Sequence, residues 1–131
     1  MKKIYPLISA IMFSINVYAQ TNQEQAEILF QKAENAYENK QYVTCRDRLL
    51  KVIDLLGSNN SKIMYLFIKN MDDGMNNDAF RVDFKNYDDQ LFRIKTFFEL
   101  INKNTYPPEK YKDIISIKLD IEEKIILIKK Q

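Results

Sequence analysis

Apolar residues recur every three or four positions through most of the chain, which is the spacing of one face of an α-helix. Over residues 22–39 this spacing predicts a first helix, with Thr21 or Asn22 as its N-cap. A second helix is predicted from Tyr42, and Gly57 is expected to end it in the left-handed conformation. The link between the two helices is short, so they are expected to pack as an antiparallel hairpin. The predicted core positions are Ala26, Leu29, Phe30, Ala33, Ala36 and Tyr37 in the first helix, and Tyr42, Cys45, Leu49, Val52, Ile53 and Leu56 in the second.

The middle of the chain has a less regular pattern. The segment "KIMYLFIKNM" (62–71) is apolar on most sides, which predicts a central third helix capped by Ser61. We interpret "DDGMNND" (72–78) as a polar break after it. In "AFRVDF" (79–84) apolar and charged residues alternate, but six residues without a partner strand cannot form a sheet. We therefore expect either an irregular insertion or the distal part of a broken third helix. The pattern leaves the structure of residues 72–86 open.

The remainder of the chain predicts two more helices. One runs from about Tyr87 to Ile101, and a loop containing Pro107 and Pro108 follows it. The last helix covers about residues 108–129, with Pro108 in its first turn. Its apolar face is formed by Tyr111, Ile114, Ile117, Ile121, Ile125 and Ile128. Only two glycines and three prolines occur in 131 residues, so helix breakers are few. The predicted fold is all-α, with about five helices arranged as stacked antiparallel α-hairpins plus a C-terminal helix.

The N-terminus has the layout of a secretory signal peptide. Two lysines are followed by an apolar stretch that ends in the small residue Ala19, which predicts a signal peptide over residues 1–19. A membrane anchor is the alternative, but the apolar run is shorter than the roughly 20 residues that cross a bilayer, and it contains Pro6. We therefore expect an exported protein, periplasmic or secreted, in which residues 20–131 form one domain without stable membrane insertion after cleavage.

The charge balance gives no sign of a polyanionic partner. The whole chain has 20 Lys and Arg against 18 Asp and Glu, and the predicted signal peptide would remove Lys2 and Lys3. The remaining domain then carries equal numbers of the two signs, and they are interspersed along the chain. A neutral surface of this kind offers no electrostatic attraction to nucleic acid, so we expect none as a partner.

Two stretches 45 positions apart echo each other. "KQYVTCRDRLLKVIDLLG" (40–57) aligns with "KNYDDQLFRIKTFFELIN" (85–102). The identical pairs are Lys40/Lys85, Tyr42/Tyr87, Arg48/Arg93 and Leu55/Leu100. Because most matched positions lie at the turn or on the predicted buried face, the echo indicates a packing unit used twice.

The first unit, about residues 24–57, resembles a tetratricopeptide repeat, and the second, about residues 61–102, resembles it less closely. The likeness is carried by small Ala33 and Ala36, the polar turn "ENKQ", aromatic Tyr42 and small Cys45, whereas Gln90 stands where the second unit should have a small residue. The resemblance implies stacked hairpins whose first helices line a concave face that binds protein segments. On that face it places Gln31, Glu34, Glu38, Lys62, Tyr65 and Lys69.

The chain lacks the residue types on which many catalytic sites depend. The chain has no histidine and one cysteine, which excludes histidine-based catalytic groups and thiolate zinc sites. Cys45 is predicted to be a buried packing residue. The adjacent carboxylates at 72–73, 88–89 and 122–123 point about 100° apart on a helix and are interpreted as solvated surface. The segment 72–78 lacks the ligand spacing of a calcium loop. We predict no catalytic, cofactor-binding or metal site, no cofactor and no enzymatic activity.

The function expected from these features is a non-catalytic protein-interaction or scaffold module of a bacterial periplasm or cell envelope, with a protein or peptide as partner. Two alternatives stay open. One is a small helical ligand- or lipid-binding protein, with the central aromatic residues lining a cavity. The other is a secreted inhibitor or immunity-type protein that makes contact through "DDGMNND". The C-terminal helix is either a cap or an interface, and in the second case it could form a homo-dimer through Ile114, Ile121, Ile125 and Ile128.

Overall fold

A computed structural model describes the backbone of residues 4–102 and 104–130 and the side chains of residues 21–102 and 104–130. Within these ranges the chain forms five helices and no strand, so the predicted all-α class is confirmed. The helices are α1 (Ile4–Glu38), α2 (Tyr42–Leu56), α3 (Ser61–Asn76), α4 (Phe84–Leu100) and α5 (Pro108–Lys129).

Helix α1 begins earlier than the sequence pattern predicts. Thr21 and Asn22 lie inside it, so neither is its N-cap. The predicted signal peptide, residues 1–19, lies outside the residues whose side chains are described. No helix in the described part of the chain is long and apolar enough to span a membrane.

Small residues hold α1 and α2 close together. Ala33, Ala36 and Cys45 are buried at the contact between the helices, and their short side chains let the two backbones approach. The connection, residues 39–41, is tight enough to put Lys40 in the left-handed region with φ 60°. Gly57 ends α2 as predicted, with φ 67° and its N–H donating to the carbonyl of Ile53 over 2.9 Å.

Helix α3 departs from prediction at both ends. Its N-cap is Asn60 and not Ser61, because the Asn60 Oδ1 accepts a hydrogen bond from the Ile63 N–H over 2.9 Å. At the other end the helix continues to Asn76, so most of the predicted polar break is helical. The physical reason is burial: Met71, Gly74 and Met75 repeat at helical spacing and all face the core.

The connection between α3 and α4, residues 77–83, is irregular, as predicted for its second half. Phe80 is buried and its ring lies directly against Gly74, while Asp78 takes a left-handed φ of 63°. Asp83 caps α4 by accepting from the Asn86 N–H over 2.8 Å, so this helix begins at Phe84 and not at about Tyr87.

The helices form a stack in which each packs against the next in the chain. Helix α1 also contacts α3, and α3 contacts α5, whereas α2 and α4 make no contact in the described part. Helices α1, α3 and α5 therefore lie side by side on one side of the stack, and α2 and α4 lie on the other. Helix α5 has the predicted bounds, and Ile114, Ile117 and Ile121 join it to the core.

Candidate binding groove

One wall of a surface groove is a polar stripe of α1. Ala26, Phe30 and Ala33 are buried, and exposed residues follow along the next face at intervals of three or four. These exposed residues are Gln23, Glu27, Gln31, Glu34 and Glu38. The stripe is held in place from behind, because the Arg48 guanidinium on α2 donates to the Lys32 carbonyl over 2.8 Å.

The facing wall comes from α3 and from the start of α5. Lys62 and Tyr65 lie on one face of α3 because they are three residues apart. Tyr106 and Lys110 approach from the loop before α5 and from its first turn. Pro107 and Pro108 fix the direction in which the chain enters α5, so they also set where Tyr106 lies.

Between these walls lie two adjoining depressions, which we call together the α1–α3 groove. The first, of about 500 Å³, is lined by residues that include Glu27, Gln31, Val52, Leu56 and Ile63. The second, of about 290 Å³, is lined by residues that include Tyr37, Glu38, Tyr65, Tyr106 and Lys110. Phe30, Glu34 and Lys62 line both depressions, so the two form one continuous surface.

The groove carries charges of both signs above an aromatic floor. The Lys62 Nζ lies 4.9 Å from the centre of the Phe30 ring, and the Lys110 Nζ lies 5.1 Å from the centre of the Tyr65 ring. Each ammonium is thus held over a ring face. On the α1 wall, Glu34 and Glu38 form no ion pair with any residue whose side chain is described. These carboxylates are available to an incoming cation.

Lys69 does not line the groove, although the helical register groups it with Lys62 and Tyr65. Its Nζ lies 2.9 Å from the Asp113 Oδ2, and the Tyr65 hydroxyl donates to the same oxygen over 3.0 Å. The three side chains tie α3 to α5 and fix the Tyr65 ring at the edge of the groove. Burial, followed by the hydrogen bond to Asp113, raises the pKa of Tyr65 to about 12, so its hydroxyl stays protonated at neutral pH.

A second tyrosine–aspartate pair fixes the floor. The Tyr37 hydroxyl donates to the Asp73 carboxylate on α3, and the Tyr37 ring meets that of Tyr42 edge-on with centroids 6.3 Å apart. Burial, with the Asp73 hydrogen bond as the next cause, raises the pKa of Tyr37 well above its ordinary value. The Tyr37 hydroxyl that anchors the floor therefore stays protonated at neutral pH.

Of the six residues predicted for a binding face, the groove brings together Gln31, Glu34, Glu38, Lys62 and Tyr65. Sequence reasoning missed Glu27, Tyr106 and Lys110. Glu27 could have been found, since it lies one helical turn before Gln31 on the same stripe. Nothing in the local pattern marks Tyr106 or Lys110, because their place depends on how α5 packs on α3.

The described residues hold no group of three or more His, Cys, Asp or Glu side chains able to bind a metal ion. Asp72 and Asp73 are both half-buried in α3 and do not form a loop. Burial, and then repulsion from Asp73, raises the pKa of Asp72 above its ordinary value. Cys45 is buried as predicted, and burial raises the pKa of its thiol to about 12, which keeps it protonated and unreactive.

No family model, no curated protein and no solved structure matches this chain.

Proposed function

We propose that this chain is an exported, non-catalytic interaction module of a bacterial periplasm or cell envelope, built from tetratricopeptide-like hairpins, and that it holds a segment of a partner protein in the α1–α3 groove. The observation that carries the proposal is the groove itself. Side chains predicted from helical register on two separate helices, Glu34 on α1 and Lys62 and Tyr65 on α3, line one open surface. The pattern of helix contacts, in which each helix packs on the next and α3 also touches α1 and α5, is that of packed α-hairpins.

The chemistry of the groove suits a peptide. Phe30, Val52 and Ile63 offer an apolar floor for one or two side chains of the partner. Glu34 and Glu38 face the same space as Lys62 and Lys110, so a segment with basic residues towards α1 and acidic residues towards α3 would be matched on both sides. Neither depression is an enclosed cavity, so a bound segment can continue beyond the groove.

The proposal is tested by selection from a random peptide library displayed on phage, with the full chain as bait. We expect enriched peptides to combine an apolar anchor with basic residues. Synthetic copies of these peptides should bind at least tenfold more weakly to Glu34→Lys than to the unaltered chain, as measured by fluorescence anisotropy. The reason is that the substitution puts a cation against the basic residues of the peptide.

Asp54→Lys is the matched control. Asp54 is exposed on α2, on the side of that helix away from the groove residues Val52 and Leu56. This variant makes the same charge change and should bind the peptides as the unaltered chain does. The proposal fails if no peptide is enriched above a selection without bait, or if Glu34→Lys and Asp54→Lys bind alike.

Neither alternative has a specific observation in its favour. A ligand- or lipid-binding protein calls for an enclosed apolar cavity, whereas the two depressions of the groove are open and rimmed by charge. An inhibitor that acts through a protruding "DDGMNND" loop calls for a loop there, whereas residues 72–76 are helical.

A further inference from the structure

The end of the stack, formed by the outer sides of α4 and α5, carries an unusual set of apolar side chains. On α5, Asp113 and Lys124 reach α3, since Asp113 pairs with Lys69 and Lys124 lies near Asn76. Residues two positions further along a helix lie about 200° away, on its opposite side. Those residues are Ile115, which is half-buried, and Ile126, which is 53% exposed. Leu119, 55% exposed, lies between them on the same stripe.

Helix α4 continues this apolar surface. A groove of about 510 Å³ runs between α4 and α5, with Leu91, Ile94 and Phe98 as its floor. Phe92, beside it on α4, is 70% exposed. In a stack whose helices each pack on the next, this is where a following helix would lie. We call this surface the end face.

The charged residues at the rim of the end face follow the same order on α4 and on α5. Each helix presents a lysine followed one turn later by a glutamate, Lys95 and Glu99 on α4 and Lys118 and Glu122 on α5. The Lys118 Nζ lies 3.5 Å from a carboxylate oxygen of Glu122, and both side chains remain about half exposed. The outer stripe of α5 therefore reads apolar, basic, apolar, acidic, apolar from Ile115 to Ile126.

Because of this order, the stripe can pair with the same stripe of a second copy that runs in the opposite direction. If a second α5 lies antiparallel across the stripe, Lys118 meets Glu122 of the partner subunit and Ile115 meets Ile126 of the partner subunit. A two-fold axis repeats each contact, which is the condition for a contact between identical surfaces. A partner surface that carries only one sign of charge would attract one of the two charged residues on each helix and repel the other.

We propose that the end face is the docking site for a second copy of this chain, with the two α5 helices antiparallel about a two-fold axis near residue 120. Two adjacent helices about 25 Å long and together about 20 Å wide would bury roughly 1,000 Å² over both copies, which is the lower limit for a specific interface. The dimer is therefore expected to dissociate at micromolar concentrations. The end face shares no residue with the α1–α3 groove, so this inference stands apart from the proposed function.

Sedimentation equilibrium of the full chain at about 1 to 500 μM measures the dimer. We expect a monomer–dimer equilibrium with Kd in the micromolar range. Lys118→Glu and Glu122→Lys, made singly, each place two like charges across the axis and should raise Kd at least tenfold. The double variant Lys118→Glu/Glu122→Lys restores opposite pairs and should return Kd to within about threefold of the original value.

Leu119→Arg and Leu50→Arg form a matched pair for the apolar contact. Both leucines are about half exposed, but Leu50 lies on α2, away from the end face. Leu119→Arg should give a monomer, whereas Leu50→Arg should leave Kd unchanged. Circular dichroism of each variant checks that the helices persist.

Three results would overturn the proposal. One is a monomer at every concentration, which would leave the end face to a different partner. Another is a dimer that Leu119→Arg leaves intact, which would put the interface elsewhere. The third is a double charge variant no tighter than either single variant, which would show that the two residues do not meet across an axis.

Discussion

Helices α2 and α4 bury the same echoed positions with different chemistry. Three aligned apolar pairs are buried in both helices, namely Tyr42/Tyr87, Leu49/Ile94 and Val52/Phe97. The pair Cys45/Gln90 is also without exposed surface, yet one side chain is a thiol and the other an amide. The echo therefore records which positions face the core, and not which functional groups a site requires.

The difference follows from what each helix packs against. Cys45 of α2 and the small residues Ala33 and Ala36 of α1 are buried with almost no exposed surface in the core, where α1 and α2 pack together. Gln90 faces α3, where its Nε2 donates to the Ile68 carbonyl over 2.8 Å and its Oε1 accepts from the Arg93 guanidinium over 3.0 Å. A buried amide is tolerated there because both of its ends are satisfied.

The connections between the helices of the two hairpins also differ. Three residues join α1 to α2, and seven join α3 to α4. The short turn holds Lys40 in a strained backbone conformation, whereas the long one folds Phe80 back into the core against Gly74. The first hairpin thus depends on small side chains and a tight turn, and the second on a polar contact and an aromatic plug.

The largest expected effect comes from moving the amide into the first hairpin. Cys45→Gln places a longer, polar side chain at a position that has no exposed surface. Overpacking and the unsatisfied amide together should lower the free energy of unfolding by about 4 kcal/mol. Urea denaturation followed by circular dichroism measures the loss.

The reciprocal change, Gln90→Cys, is the matched comparison. It removes two hydrogen bonds and leaves a gap, but it forces no side chain into a filled space. We expect a loss of about 2 kcal/mol. If Gln90→Cys costs more than Cys45→Gln, the contrast drawn between the two contacts is wrong.

The next-largest effect tests how closely the Phe80 ring packs against Gly74. A Cβ on Gly74 would overlap the Phe80 ring and lie 3.2 Å from the Tyr42 Cβ, so Gly74→Ala must displace the ring. We expect a loss of about 2 to 3 kcal/mol in thermal or urea unfolding.

Gly57→Ala serves as its control. Gly57 has open space around it but a φ of 67°, so the cost there comes only from the backbone and should be about 1 kcal/mol. Equal losses at the two glycines would show that the Phe80 ring moves aside freely.

Helices α2 and α5 could be predicted from sequence because local signals decide their ends. Gly57 stops one and Pro108 starts the other, and the apolar spacing between is regular. The extension of α3 was missed because "DDG" is locally a poor helix. Tertiary contacts stabilise it instead: Asp73 accepts from Tyr37, and Gly74 is the residue that leaves room for Phe80.

The same limit applies to the candidate groove. Register within one helix placed Gln31 and Glu34 on one face of α1 and Lys62 and Tyr65 on one face of α3, and these residues line the groove. Register cannot report a contact between helices. For that reason it included Lys69, which Asp113 holds, and it missed Lys110, which arrives from α5.

The thiol of Cys45 makes the first hairpin sensitive to pH, whereas the amide of Gln90 at the aligned position of the second hairpin does not titrate. Burial raises the pKa of Cys45 from 9.0 to about 12, with Arg48 opposing the shift. Below pH 9 both folded and unfolded chains keep the thiol protonated, and above it only the unfolded chain ionises. The folded state therefore loses stability as the pH rises from 9 towards 12, by about 1.4 kcal/mol per pH unit from this group.

Cys45→Ala isolates this contribution, because the tyrosines titrate in both chains and cancel in the difference. The gap in unfolding free energy between the unaltered chain and the variant should narrow steadily above pH 9 in urea denaturation. A gap that stays constant from pH 7 to pH 10.5 would contradict the assignment.

The smallest effect concerns Lys40 and Lys85, an aligned pair that is identical in sequence but differs in backbone conformation. Lys40 has φ 60° in the turn before α2, whereas Lys85 is the second residue of α4. Lys40→Gly relieves the left-handed strain and should raise the free energy of unfolding by about 1 kcal/mol. Lys85→Gly relieves no strain and should leave the free energy of unfolding unchanged or lower it by up to about 0.5 kcal/mol, since glycine is a poor helix former.

Thermal unfolding measures the difference. The unfolding temperatures of the two variants should shift in opposite directions or differ clearly in the size of the shift. Equal shifts would mean that the identity of the two lysines reflects a common backbone role, and the turn of the first hairpin would then have no special strain.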